Sequence, residues 1–169
     1  ESLGINVDIF NEKGESVGTN HKGELVIKNP FPTIPIKFWN DMNNKKLKKA
    51  YFSKYKNIWY HGDFIQKTQN GGFIMLGRSD TTLNPGGVRM GTAEIYRQVE
   101  NIEFVRESLA VGQNWKDDVR IILFVVMETK KKLGVEEINF IKSKIKDNCS
   151  PKHVPHKVIE IPEIPRTKS

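Results

Sequence analysis

Gly77-Arg78-Ser79-Asp80-Thr81-Thr82-Leu83-Asn84-Pro85-Gly86-Gly87-Val88-Arg89-Met90-Gly91-Thr92-Ala93-Glu94-Ile95-Tyr96 decides how this chain is read. An apolar run, Phe73-Ile74-Met75-Leu76, leads into it as a strand. The stretch then turns through a polar Arg-Ser-Asp, passes a Pro-Gly-Gly loop and enters a helix at Thr92. Two arginines and an aspartate bracket the paired glycines. Glycine removes the Cβ obstacle to close approach, and arginine offers a planar, permanently charged fork to phosphate oxygens. The combination suits a loop that approaches a phosphate-bearing ligand. On these residues alone, an Arg78–Asp80 salt bridge and a plain Gly86-Gly87 turn account for the same pattern.

Upstream, Ile5 to Phe10 alternates apolar and polar residues, as a half-buried strand does, and Asn11-Glu12-Lys13-Gly14 reads as a turn. Gly23-Glu24-Leu25-Val26-Ile27 is a second strand, pairing with the first. Pro30 to Trp39 reads as irregular loop, with Phe38 and Trp39 as packing residues. Lys45 to Tyr55 holds a short surface helix. Ile58-Trp59-Tyr60 is a strand running into His61-Gly62-Asp63, and Asn70-Gly71-Gly72 is a hairpin turn signal before Phe73. Asp63 then leaves a strand end, where a turn-capping role is the simpler reading. Its two acceptor oxygens also fit both hydroxyls of a ribose. His61 reads as packing.

Downstream, Thr92 is expected to cap a helix, with Glu94 in its first turn and Ile95 and Val99 facing inward. Ser108 to Gly112 reads as a short strand, and Val119 to Met127 as a central strand buried on both faces. Val135 to Asn148 places Ile138, Ile141 and Ile145 on one helical stripe, stopped by Pro151. Val158 to Ile161 is the last strand. The expected class is α+β: a β-rich part over 1–79, then a small domain over 80–169 whose sheet is flanked by helices.

With 169 residues, the chain has room for one or two small domains and a real core. The formal net charge of +7 comes from lysine-rich surface such as Lys45-Lys46-Leu47-Lys48-Lys49. These runs lack the aromatic interleave and the motifs of nucleic-acid readers, so no nucleic-acid partner is expected. The one cysteine, Cys149, excludes an internal disulfide and a cysteine metal cluster, and it is expected to pack on a helix. No signal peptide or long apolar run is present, which points to a cytoplasmic protein without a membrane partner.

The long stretch resembles the hinge motif of the acyl-adenylate-forming enzymes, the superfamily of acyl-CoA synthetases, luciferases and peptide-synthetase adenylation domains. Pro30-Phe31-Pro32, Phe38-Trp39-Asn40, His61-Gly62-Asp63-Phe64, Pro151-Lys152-His153-Val154-Pro155 and Ile164 to Ser169 carry the same resemblance. Together these residues are similar to the branch that joins acetoacetate to CoA. The resemblance implies ATP, CoA and Mg²⁺, an acyl-AMP intermediate, and the β-rich end of a large N-terminal domain followed by a small C-terminal one. It implies that Asp63 and Arg78 hold the adenylate ribose and that Arg89 lies near the α-phosphate. Asp80 becomes the hinge about which the small domain turns between adenylation and thioester formation. Gly86 and Gly87 lie beside the pantetheine arm of CoA, and Glu94 serves helix stability. No metal ligand is assigned within the chain. The chain opens on Glu1 and stops at Ser169, before the Gly-Lys that follows this motif in the family. It is therefore expected to be part of a longer enzyme and inactive by itself. Alternatives are a ligase for acetate or propionate, or a non-catalytic module that keeps the fold.

Overall fold

The computed structural model describes residues 3–128 and 131–166. The chain forms two compact units, one ending at Asp80 and the other beginning at Thr81.

The first unit is a four-stranded antiparallel sheet in chain order, with β1 Val7–Phe10, β2 Lys22–Ile27, β3 Trp59–Lys67 and β4 Phe73–Arg78. Its alternating residues put Ile9, Val26, Ile65 and Leu76 inside, all at most 2% exposed. The helix α1, Lys45–Tyr51, is lysine-rich yet docks, because Leu47 is buried and Tyr51 stacks on Trp59 at 3.8 Å. Phe31 and Phe52 meet Trp59 edge-on. Phe38 packs on Tyr51, but Trp39 is 90% exposed, so packing explains only the first of that pair. The link from β3 to β4 is longer than a two-residue turn. Thr68 and Gly72 close it through backbone and hydroxyl hydrogen bonds, and Gly71 takes the positive φ.

One acid lies in this core. Glu24 is fully buried, receives Lys54 Nζ at 2.5 Å and accepts a hydrogen bond from the Ser79 hydroxyl. A buried carboxylate is tolerated only with such partners. It ties β2 to the residue preceding Asp80.

The second unit has a three-stranded sheet ordered β5-β6-β7, with β5 Val105–Trp115, β6 Asp118–Met127 and β7 Lys157–Glu160. β5 and β6 form an antiparallel hairpin, and β7 runs parallel to β6. The parallel pairing requires a crossover, and α3, Val135–Asn148, supplies it. Ile95 and Val99 of α2, Thr92–Val99, join Ile141 and Ile145 of α3 against Leu123 and Val125. Ile121 to Met127 is almost wholly buried, as its apolar run predicts. The α+β class expected from the sequence holds. Two details differ. β5 has 11 residues rather than the short strand expected, because Gln113-Asn114-Trp115 pairs as an exposed hairpin end with no apolar face to mark it. The α2 cap is Gly91, not Thr92, and the Glu94 carboxylate accepts the Gly91 N–H at 2.9 Å. Cys149 ends α3, its Sγ 3.6 Å from the Glu94 carbonyl.

Replacing Glu24 by Ala is expected to destabilise the first unit by about 1–3 kcal/mol, because a buried hydroxyl and an ammonium lose their acceptor. Urea unfolding monitored by Trp59 fluorescence measures this.

Candidate functional site

In the first unit, β3 and β4 set Asp63 directly opposite Arg78. Asp63 therefore lies within a strand, not at the strand end expected, because β3 continues through His61-Gly62-Asp63 to Lys67. The Arg78 guanidinium lies 3.4 Å from the Asp63 carboxylate and 3.6 Å from that of Asp80. It also donates to the His61 carbonyl at 3.5 Å. Gly62 makes this possible. Its φ is +87°, and a Cβ there would meet the guanidinium at 2.9 Å.

His61 belongs to the same cluster. The strand is irregular here, since Gly62 has a positive φ and 61–63 stand opposite Leu25 alone, and this irregularity gathers Trp59, His61 and Asp63. The Trp59 indole N–H donates to His61 Nδ1 at 3.2 Å, which leaves the proton of the neutral ring on Nε2. That nitrogen faces Asp63 Oδ2 at 3.4 Å. Asp63 is thus approached by an imidazole on one oxygen and a guanidinium on the other, while its side chain keeps 16% exposure. The arrangement presents two carboxylate oxygens, a guanidinium edge and an imidazole N–H in a partly solvated cluster where β3 meets the end of β4. It suits a vicinal diol or a phosphate ester.

In the second unit, the loop from Asn84 to Arg89 is closed at its base. Leu83 and Met90 exchange backbone hydrogen bonds of 2.9 and 2.8 Å, and both side chains are buried in the core. Pro85–Gly87 forms a 3-10 turn, with φ of +57° at Gly86 and +74° at Gly87. Gly86 is held from two sides. Its N–H donates to the Asp118 carboxylate at 2.9 and 3.1 Å, and its carbonyl accepts from Lys152 Nζ at 3.0 Å. A Cβ at Gly87 would meet nothing within 4 Å. Arg89 Nε donates to Thr82 Oγ1 at 3.0 Å, which holds the guanidinium against the loop base.

The structure therefore groups Asp63, Arg78 and Asp80 in one cluster, and Gly86, Gly87 and Arg89 on one loop in the other unit. Sequence reasoning left His61 as a packing residue, whereas the fold places its Nε2 3.4 Å from Asp63. It did not single out Asp118, and it gave Lys152 a place in the Pro151 to Pro155 motif but no role. An acid pair at a hairpin tip and a lysine beside a proline carry no local signal, and only the folded chain brings them to Gly86. Glu94, read as a helix residue, also faces the buried His153 at 3.6 Å. Among the described residues, no group of three or more His, Cys, Asp or Glu could hold a metal ion. No helix of the described residues is long and apolar enough to cross a membrane.

The chain is 50% identical, over 99% of its length, to the acetoacetyl-coenzyme A synthetase of Rhizobium meliloti (strain 1021), of which it spans 26%. It is 46% identical to the acetoacetyl-CoA synthetase of Xenopus tropicalis, over 99% of the chain and 25% of that protein. The solved acetoacetyl-CoA synthetase from Streptomyces lividans matches with a TM-score of 0.89 and 40% identity, over 98% of this chain and 25% of that one. No family model matches the chain. The chain thus spans about a quarter of the length of these relatives. Over that quarter, the chain is similar throughout to acetoacetyl-CoA synthetases.

Proposed function

We propose that the chain serves in a ligase that joins acetoacetate to CoA, with ATP converted to AMP and pyrophosphate through an acyl-adenylate. The observation that carries this reading is the cross-strand pairing of Asp63 with Arg78, two residues before the chain passes from one unit to the next. The relatives' names support acetoacetate as the acid.

In the first half-reaction, the acetoacetate carboxylate attacks the α-phosphorus of ATP and pyrophosphate leaves. In the second, the CoA thiol attacks the acyl carbon, AMP leaves and the thiol proton is lost. Asp63 accepts the two ribose hydroxyls, and Arg78 donates to ribose oxygens beside it. The exposed pairs that Arg78 makes at 3.4 and 3.6 Å are weak enough for a ligand to replace. Arg89 supplies charge near the α-phosphate, where negative charge concentrates in the transition state. Asp80, at the junction of the two parts, is the hinge, and rotation of its backbone turns the small domain between the two half-reactions. Residues 1–79 act as the closing β-subdomain of a larger domain and 80–169 as the small mobile domain. Gly86 and Gly87 keep the pantetheine arm's path free of side chains. Mg²⁺, when bound, neutralises phosphate charge; its ligands are not assigned to this chain. A cytoplasmic site of action belongs to the same proposal, resting on the supply of ATP and CoA there.

The test is thioester formation from acetoacetate, acetate and propionate by the protein at the full length of its relatives. Preference for acetoacetate is expected, and equal turnover of another acid would remove the named substrate while keeping the reaction class. Arg78→Ala is expected to lower kcat/KM for ATP by roughly 10–100-fold, the worth of a charge-assisted contact. Gly87→Leu should lose CoA-dependent thioester formation far more than ATP–pyrophosphate exchange, and equal losses would argue against the channel role.

A further inference from the structure

The grip on Gly86 is built from distant parts of the chain, and each part has its own mount. Asp118 opens β6 at the tip of the β5–β6 hairpin. Its carboxylate also accepts the Val119 N–H at 2.7 Å. The hairpin tip is stiffened by Arg120, whose guanidinium carbon lies 3.6 Å from the centre of the Trp115 ring and whose Nε donates to Gln113 at 2.7 Å. Lys152 belongs to a 3-10 turn, Pro151–His153. That turn is anchored by the buried His153, whose Nδ1 lies 2.8 Å from the Ser150 hydroxyl. Both peptide groups of Gly86 are therefore gripped by opposite charges, one from each mount.

Gly86 and Gly87 lack side chains, and both occupy backbone conformations that L side chains rarely adopt. Such a loop is soft unless something outside it fixes its shape. Lys152 also closes the space over Gly86, since a Cβ there would meet Nζ at 3.0 Å. Gly87, one residue on, stays open and borders a depression of about 440 Å³ with Asn84, Asn114, Lys116 and Asp117. The grip thus fills one side of the loop and leaves the next position clear.

We propose that Asp118 and Lys152 are positioning residues that hold the Gly86 peptide groups, so that the loop keeps the path beside Gly87 open for the CoA arm. This rests on the ligase reading above for the identity of the ligand, while the grip itself rests on the geometry. The Gly86 N–H, then the Val119 N–H, hold the Asp118 carboxyl below the usual carboxylate range; desolvation opposes them less strongly, and Lys152 adds the smallest lowering effect. A carboxyl whose folded pKa lies below its unfolded value stabilises fully above about pH 4 and loses that contribution as pH falls through the folded value. The difference in Tm between wild type and Asp118→Ala is therefore expected to narrow as the pH falls below that point.

The deciding experiment has two arms. In the first, amide exchange is followed by NMR in this chain. Asp118→Ala should speed exchange of the Gly86 amide by about tenfold or more, with the Leu123 amide in the core unchanged. An unchanged Gly86 rate, or an equal rise at Leu123, would overturn the grip. In the second, the protein at its relatives' full length is assayed for both half-reactions. Asp118→Ala and Lys152→Ala should each raise the KM for CoA and lower the ratio of thioester formation to pyrophosphate exchange by about tenfold, the loss of one hydrogen bond to a charged group. Asp118→Asn, which keeps an acceptor oxygen, should recover part of it. Equal losses in both half-reactions would make the residues merely structural and overturn the CoA role. A wild-type protein that forms no thioester from any acid overturns the ligase reading and the CoA role together, while the exchange rates still decide the grip.

Discussion

The two backbone hydrogen bonds between Leu83 and Met90 are the constraint on which the loop from Asn84 to Arg89 depends. Each residue is an anchor twice over, paired through its backbone and buried through its side chain. Six residues between them must then leave the core as a closed excursion. Its polar and glycine-rich composition follows, because nothing in that excursion can be buried against the sheet. The same closure brings Arg89 back beside Thr82, and it fixes where the Gly86 peptide groups meet Asp118 and Lys152. Without it, a Pro-Gly-Gly run would sample many shapes, and no contact at its tip would hold.

The two kinds of charge in the first unit are handled differently. Glu24 is sealed in the core and must keep Lys54 and Ser79 as partners, since desolvation of an unpaired carboxylate would be costly. Asp63 of the inner strand β3 meets Arg78 and Asp80 at the end of β4, with contacts of 3.4 to 3.6 Å and an arginine side chain that is 57% exposed. Pairs of that kind contribute roughly 0–1 kcal/mol. Stability therefore does not account for their gathering, which fits groups arranged for a ligand. Gly62 points the same way, because a residue that weakens a strand interior is kept where the guanidinium needs its space.

Much of the fold was legible without coordinates. The alternation from Ile5 to Phe10 marked the first strand, the apolar run to Met127 marked a central strand, and the Ile141–Ile145 stripe marked α3. The misses share one cause. The outer end of β5 and the cap at Gly91 have no burial pattern of their own, so their state depends on the partner they pair with. Asp63 was placed at a strand end because His-Gly-Asp reads locally as a turn. The pairing with β4 through a bulge at Phe64 and Ile65 carries the strand past it.

The sequence by itself determined the α+β class, the elements with strong periodicity and the residues of the motif from Gly77 to Tyr96. These follow from local chemistry: side-chain spacing, glycine and proline placement, and charge type. Tertiary structure decided the company those residues keep. Strand register put His61 and Arg78 around Asp63, and folding of the second unit carried Asp118 and Lys152, 32 and 66 positions from Gly86, onto its two peptide groups. Contacts at that separation are set by how strands and helices pack, which no local pattern encodes.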